Sequence, residues 1–187
     1  MSTKDTLAKI AKTEALKCFH GFDMQIESNI DLIIYDFPNW SLEKADRNWC
    51  AAFVYYCCKK AGYDIPRRPN ECCSCNLAGC GAWEEWALAD DRIDYIAGTD
   101  DSYTPEIGVV VLFDKVFNSS EHDHIGIVIE NKPDSIVVAE GNIDNISGII
   151  ERKKDSHIRA YIRIPDNFSY NENEHTLQST NSNLSSS

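Results

Sequence analysis

Thiols and imidazoles are the side chains of this sequence with nucleophilic and basic chemistry, and there are eight cysteines and five histidines. One thiol stands apart by position. In DRNWCAAFVYYCCKKAG, residues 46–62, Cys50, Phe53, Val54, Cys57 and Ala61 recur at helical spacing, which predicts a helix over 49–61. Asn48 or Asp46 can cap its start and Gly62 can end it. Lys59 and Lys60 fall in its last turn, where cations suit the helix dipole. Cys50 then sits at the helix N-terminus. Unpaired amides and the dipole there stabilise an anion, so this sulfur is the one placed for reactivity. Cys57 and Cys58 lie further along, outside that field, and read as packing residues.

A thiol nucleophile needs a base. His175 lies in a polar tail, His20 near the end of a first helix, and His157 just before the last strand. His122 reads as a solvated loop residue. His124 opens the run HIGIVIE, with Gly126 on the same strand face leaving room beside the ring. A histidine on a strand is most often structural, and pairing with Cys50 is what raises His124 above that reading. The third group of such a system orients the imidazole and stabilises its charge. AEGN offers Glu140 and Asn142, two apart and so on one face, although a polar strand end is the commoner meaning of such a stretch. The strands of His124 and Glu140 form a hairpin through NKPDS. A three-residue loop, Lys132–Asp134, puts both side chains on one face. A two-residue loop separates them unless a bulge intervenes.

The elements that position these groups fall into two blocks. Leu7, Ile10, Ala11, Ala15 and Cys18 predict a helix over 3–19, with Gly21 to end it. Residues 22–45 read as loop, with Pro38 as a breaker and Phe37 and Trp40 packing. Residues 72–88 predict a second helical segment anchored by Trp83 and Trp86. Short β-branched runs follow at 107–113, 124–130, 135–142 and 158–164. Helices first and strands after define an α+β domain with an antiparallel sheet. The expected domain is 1–167. Residues 168–187 are Ser/Asn-rich and read as a flexible tail.

The chain of 187 residues suits one domain, and its 43% apolar and 26% charged content is that of a globular protein. The formal charge of −12 repels phosphate backbones and anionic lipid, so neither nucleic acid nor a membrane surface is expected as a partner. No signal-peptide-like run opens the sequence and no apolar run is long enough to span a bilayer. Synthesis in the cytoplasm is expected, with reduced thiols as the default. CCSCNLAGC, with Cys72, Cys73, Cys75 and Cys80, lacks the paired knuckles of ordinary zinc sites, so no metal is expected there.

Taken in order, NWCAAFVYYCCKKAG, PEIGVVVLF, HIGIVIEN, VVAEGN and RAYIRI resemble the cysteine, histidine-dependent amidohydrolase/peptidase (CHAP) family over about residues 5–165. The resemblance implies a papain-like fold with N-terminal helices packed on the antiparallel sheet. It implies Cys50 as nucleophile, His124 as base, Glu140 as the group holding the histidine, and Asn142 as a further polar member. It implies a peptidoglycan hydrolase, cutting either the N-acetylmuramoyl-L-alanine amide or a stem or cross-bridge peptide, as a monomer without cofactor. The aspartate–cysteine–serine–glycine motif of related wall peptidases is absent from the sequence. Two departures stand out. Gly108 is followed by Val109 where the family usually has aspartate, and SLEKADRN offers only Glu43 and Asp46 where some members bind calcium, so no calcium is expected. The alternatives are a protein-directed cysteine protease or transferase on the same fold, a cysteine-rich metal or redox module, and a catalytically dead recognition domain.

Overall fold

A computed structural model describes residues 2–22, 26–38, 48–72 and 75–170. Among these residues four helices, α1 (Thr3–Ala15), α2 (Asp31–Ile34), α3 (Cys50–Ala61) and α4 (Cys80–Ala89), precede six strands. These are β1 (Asp94–Ala97), β2 (Val110–Phe113), β3 (His124–Asn131), β4 (Ser135–Ile143), β5 (Ile146–Lys153) and β6 (Ile158–Arg163). All pairings are antiparallel, in the order β1-β6-β2-β3-β4-β5. This is the expected α+β architecture, with helices packed on an antiparallel sheet.

Local sequence explains the helix limits. Ser2 caps α1 by accepting from the Asp5 amide, and the Asp5 carboxylate returns the bond. The helix stops at Ala15, short of the expected 19. Cys18 takes a left-handed turn (φ 53°) and Phe19 leaves to meet β5, its carbonyl accepting from the Ser147 amide at 2.7 Å. Gly62 ends α3 in the left-handed conformation. No side chain caps its start, because Trp49 is the flanking residue and is wholly buried. Helix α4 begins eight residues later than expected. The Asn76 carbonyl accepts from the Gly79 amide, and its side chain accepts from the Ala78 amide, which folds residues 76–79 into a turn.

The main core lies between helices and sheet. Leu7, Ala11, Trp49, Phe53, Val54, Trp83 and Trp86 meet Val110, Leu112, Ile125, Ile127 and Ala139. Val111, Phe113, Val128, Val138, Ile158 and Tyr161 form a smaller cluster on the alternate positions. The chain past residue 167 continues the fold for three residues. Phe168 is buried against Trp86, and the Tyr170 hydroxyl accepts from the Asn70 amide at 2.7 Å. Trp40, the calcium-type segment with Glu43 and Asp46, Cys73, and residues 171–187 with His175 lie outside the described residues.

The hairpin β3–β4 decides whether His124 and Glu140 can meet. Lys132 donates to the Ser135 carbonyl, leaving a two-residue loop, Pro133–Asp134. The register would then be wrong by one residue, but Ile129 is an extra residue between the pairs Val128↔Val138 and Glu130↔Val137. Beyond this bulge Gly126 lies opposite Glu140, so His124 and Glu140 share a face. The register that a three-residue loop would have given is reached by a bulge instead.

Candidate active site

Cys50 is the first residue of α3; it is buried and lines a cleft of about 550 Å³. Three groups hold that sulfur as a thiolate. Cys80, first residue of α4, brings its thiol within 3.6 Å. The His124 ring and the Ala51 amide also act on it electrostatically, both favouring the anion. The Cys80 contact leads, burial opposes, and His124 and Ala51 complete the balance, so the Cys50 pKa is pulled down to about 5. Burial drives Cys58 and Cys57 the other way. They pack within the core, as their positions along the helix imply.

His124 opens β3 between aromatic rings. Phe113 stacks on it at 6.1 Å between centroids and Phe117 meets it edge-on at 4.8 Å. Its Nε2 lies 2.6 Å from a Glu140 carboxylate oxygen, which leaves Nδ1 for the thiolate. Burial alone would lower the imidazole pKa. Electrostatic interaction with Cys50 and the hydrogen bond to Glu140 overrule it and hold the value up at about 9. A Cβ on residue 126 would stand 2.8 Å from the Glu140 Cγ, so the room left by Gly126 is taken by the glutamate side chain as it reaches the ring.

Glu140 is fully buried. Arg152 on β5 donates to both of its carboxylate oxygens, at 2.9 and 2.7 Å. The guanidinium also lies 5.5 Å from the Phe113 and Phe117 ring centroids, the rings that enclose His124. Burial would raise the Glu140 pKa, but Arg152 first and His124 second keep it lowered, so the carboxylate is ionised. Asn142 stands apart from this chain of contacts. It lies at the cleft rim with φ 63°, donating to the Asn48 side chain at 3.4 Å.

The other histidines have different partners. His20 bonds the Glu27 carbonyl and His157 the Asp114 carbonyl. His122 is in a loop as expected, but it is half-buried and tied down. Its ring pairs with Glu84 and its amide donates to Asp114 at 2.7 Å. Sequence reasoning missed Arg152 and Cys80 as members of the site. Arg152 belongs to a strand the sequence pattern did not reveal. Cys80 could be singled out only by knowing that the start of α4 abuts the start of α3. Among the described residues no group of three or more metal-binding side chains gathers, and no helix is long and apolar enough to cross a membrane.

A helix N-terminal thiolate, an imidazole on an adjacent strand and a carboxylate behind it, on helices packed against an antiparallel sheet, are the arrangement of a papain-like thiol hydrolase. The chain belongs to the CHAP domain family, whose model matches residues 43–142, more than half of the sequence. Membership carries cysteine- and histidine-dependent amidohydrolase or peptidase activity. No curated protein matches the chain.

Proposed function

We propose that this protein hydrolyses an amide bond of bacterial peptidoglycan, at the N-acetylmuramoyl-L-alanine linkage or within the stem or cross-bridge peptide. Cys50 is the nucleophile, His124 the acid–base group and Glu140 the residue that holds it. The observation that carries this reading is the convergence of Cys50 and His124 on one open cleft, with the His124 ring held 2.6 Å from Glu140.

The thiolate attacks the amide carbonyl and a C–S bond forms. The Cys50 amide, at the first helical position, has no intrahelical carbonyl to bond and can meet the oxyanion. The imidazolium gives its proton to the departing amine as the C–N bond breaks. Water, deprotonated by the now neutral ring, then clears the thioester. Asn48, Asn118, Asn142 and Asn145 line the cleft and suit the hydroxyls and amides of a glycan–peptide polymer. All three groups come from one chain, so a monomer suffices, and the enzyme acts on the wall after release or delivery.

The test is muropeptide release from purified cell walls, with casein alongside. Soluble fragments from walls, none from casein, and loss of release in Cys50→Ala are the expected results. Cleavage of casein with walls left intact would assign the site to a protein-directed protease. Full activity in Cys50→Ala would remove the mechanism.

A further inference from the structure

The catalytic sulfur has a second thiol against it, and hydrolysis makes no covalent use of that neighbour. The Cys50 and Cys80 sulfurs are 3.6 Å apart, each on the first residue of its helix. A disulfide needs about 2.05 Å, so the sulfurs must close by about 1.5 Å. Cys80 lies between Gly79 and Gly81; a side chain added at residue 81 would meet nothing within 4 Å, whereas one at residue 79 would stand 2.6 Å from the Cys75 sulfur, so the open space is on the Gly81 side. Cys50 and Cys80 both line the cleft, 4% and 8% exposed, so a small oxidant that enters the cleft meets both residues. Cys57 and Cys58 lie in the core and do not line it.

We propose that Cys50 and Cys80 are the two halves of a reversible disulfide, formed when a hydroperoxide enters the cleft, and that Cys80 is the resolving thiol that protects the nucleophile from irreversible oxidation. The proposal rests on Cys50 being the reactive thiolate of the hydrolase reading. The Cys50 thiolate attacks the outer peroxide oxygen. An S–O bond forms, the O–O bond breaks, and the alcohol or water leaves with a proton from the imidazolium or solvent. The Cys80 sulfur then attacks the Cys50 sulfenic acid. An S–S bond forms, the S–O bond breaks, and hydroxide departs as water with the Cys80 proton. Two thiols are oxidised by two electrons and one peroxide is reduced. Charge favours this order. The Cys50 thiolate keeps the Cys80 proton in place, and conversion to a neutral sulfenic acid removes that restraint. While the disulfide stands, the nucleophile is capped and the hydrolase is off. A dithiol reductant restores it.

The full chain, reduced and then treated with hydrogen peroxide, has its remaining thiols blocked and is digested for peptide mass spectrometry. The expected product joins the Cys50 and Cys80 peptides at the mass of the reduced pair less two hydrogens, and dithiothreitol abolishes it. In Cys80→Ser the same treatment carries Cys50 to the sulfinic acid, two oxygens heavier, and dithiothreitol does not reverse it. A wild-type chain that yields Cys50 sulfinic acid without the cross-link overturns the proposal, as does a cross-link between other cysteines. Because the readout is mass, it is independent of substrate. A chain that forms the cross-link but leaves peptidoglycan intact fails the peptidoglycan reading alone.

Discussion

A neutral thiol and a neutral imidazole would make a slow amide hydrolase, and the charges on Cys50 and His124 decide that this pair is not neutral. The Cys50 pKa is pulled to about 5, led by the Cys80 contact, and the His124 pKa is held at about 9 against burial by Cys50 and Glu140. Between those limits the pair stands as thiolate and imidazolium. Below about 5 the sulfur takes a proton, and above about 9 the ring loses the proton that the departing amine requires. The two limbs can be read separately. Alkylation of Cys50 by iodoacetamide needs only the thiolate, so its rate should fall on the acid side near pH 5 and show no loss near pH 9. Hydrolysis should fall on both sides. An alkylation profile rising near pH 8.5, as for an ordinary thiol, would count against the ion pair. Glu140→Ala should lower kcat by about 100-fold, because it releases His124 and that is the lower end of what a positioned acid–base group contributes. Glu140→Gln should lose less, because its amide oxygen can still orient the ring.

At the level of elements, the site depends on what each strand contributes, and β5 contributes the least obvious part. Arg152 faces a carboxylate with no access to water, so removing it leaves Glu140 with His124 as its remaining partner. Arg152→Gln should cost about 3 kcal/mol of stability, the lower end for breaking a buried pair, and urea unfolding would measure it. Hydrolysis should fall with it, since the carboxylate then has a route to protonation at neutral pH. A variant with unchanged unfolding and unchanged rate would show that Arg152 does not position Glu140. The site's core elements were legible in the sequence. Helix α3 shows its apolar stripe, and HIGIVIE and SIVVAEGN have the β-branched character of buried strands. Strands β1 and β5 were not legible, for one physical reason: they are the two edges of the sheet. Edge strands need not be apolar throughout, and ISGIIERK and DYIA carry charged, half-exposed residues. With β5 hidden, Arg152 was hidden too. The bulge at Ile129 is a similar case. The sequence demanded either an odd loop or a bulge, and nothing in NKPDS distinguished them.

Across the whole molecule, three buried carboxylates tie together elements that hydrophobic contact alone would leave free to slide. Glu14 on α1 meets Lys60 and Tyr56 on α3. Glu84 on α4 meets Arg159 on β6, Tyr95 on β1 and His122. Glu140 on β4 meets Arg152 on β5 and His124 on β3. In each, burial would raise the pKa and the hydrogen-bonded partners outweigh it. All three are lowered from the ordinary 4.5, Glu84 to about 2. A carboxyl that is more acidic folded than unfolded lends stability above its unfolded pKa, and that stability is lost as pH falls through the folded value. Melting temperature should therefore hold at neutral pH and drop steeply from about pH 4.5 towards pH 2. The negative net charge of −12 works in the opposite sense, because protonating the exposed carboxylates relieves self-repulsion. The two effects separate by substitution. Glu84→Gln should lower the melting temperature at pH 7 and flatten its decline below pH 4.5, since the group that would have taken up the proton is gone. An equal decline in the variant and the parent would show that acid unfolding is driven by groups other than this network, and the three carboxylates would then be packing features rather than the fastenings that hold helices to sheet.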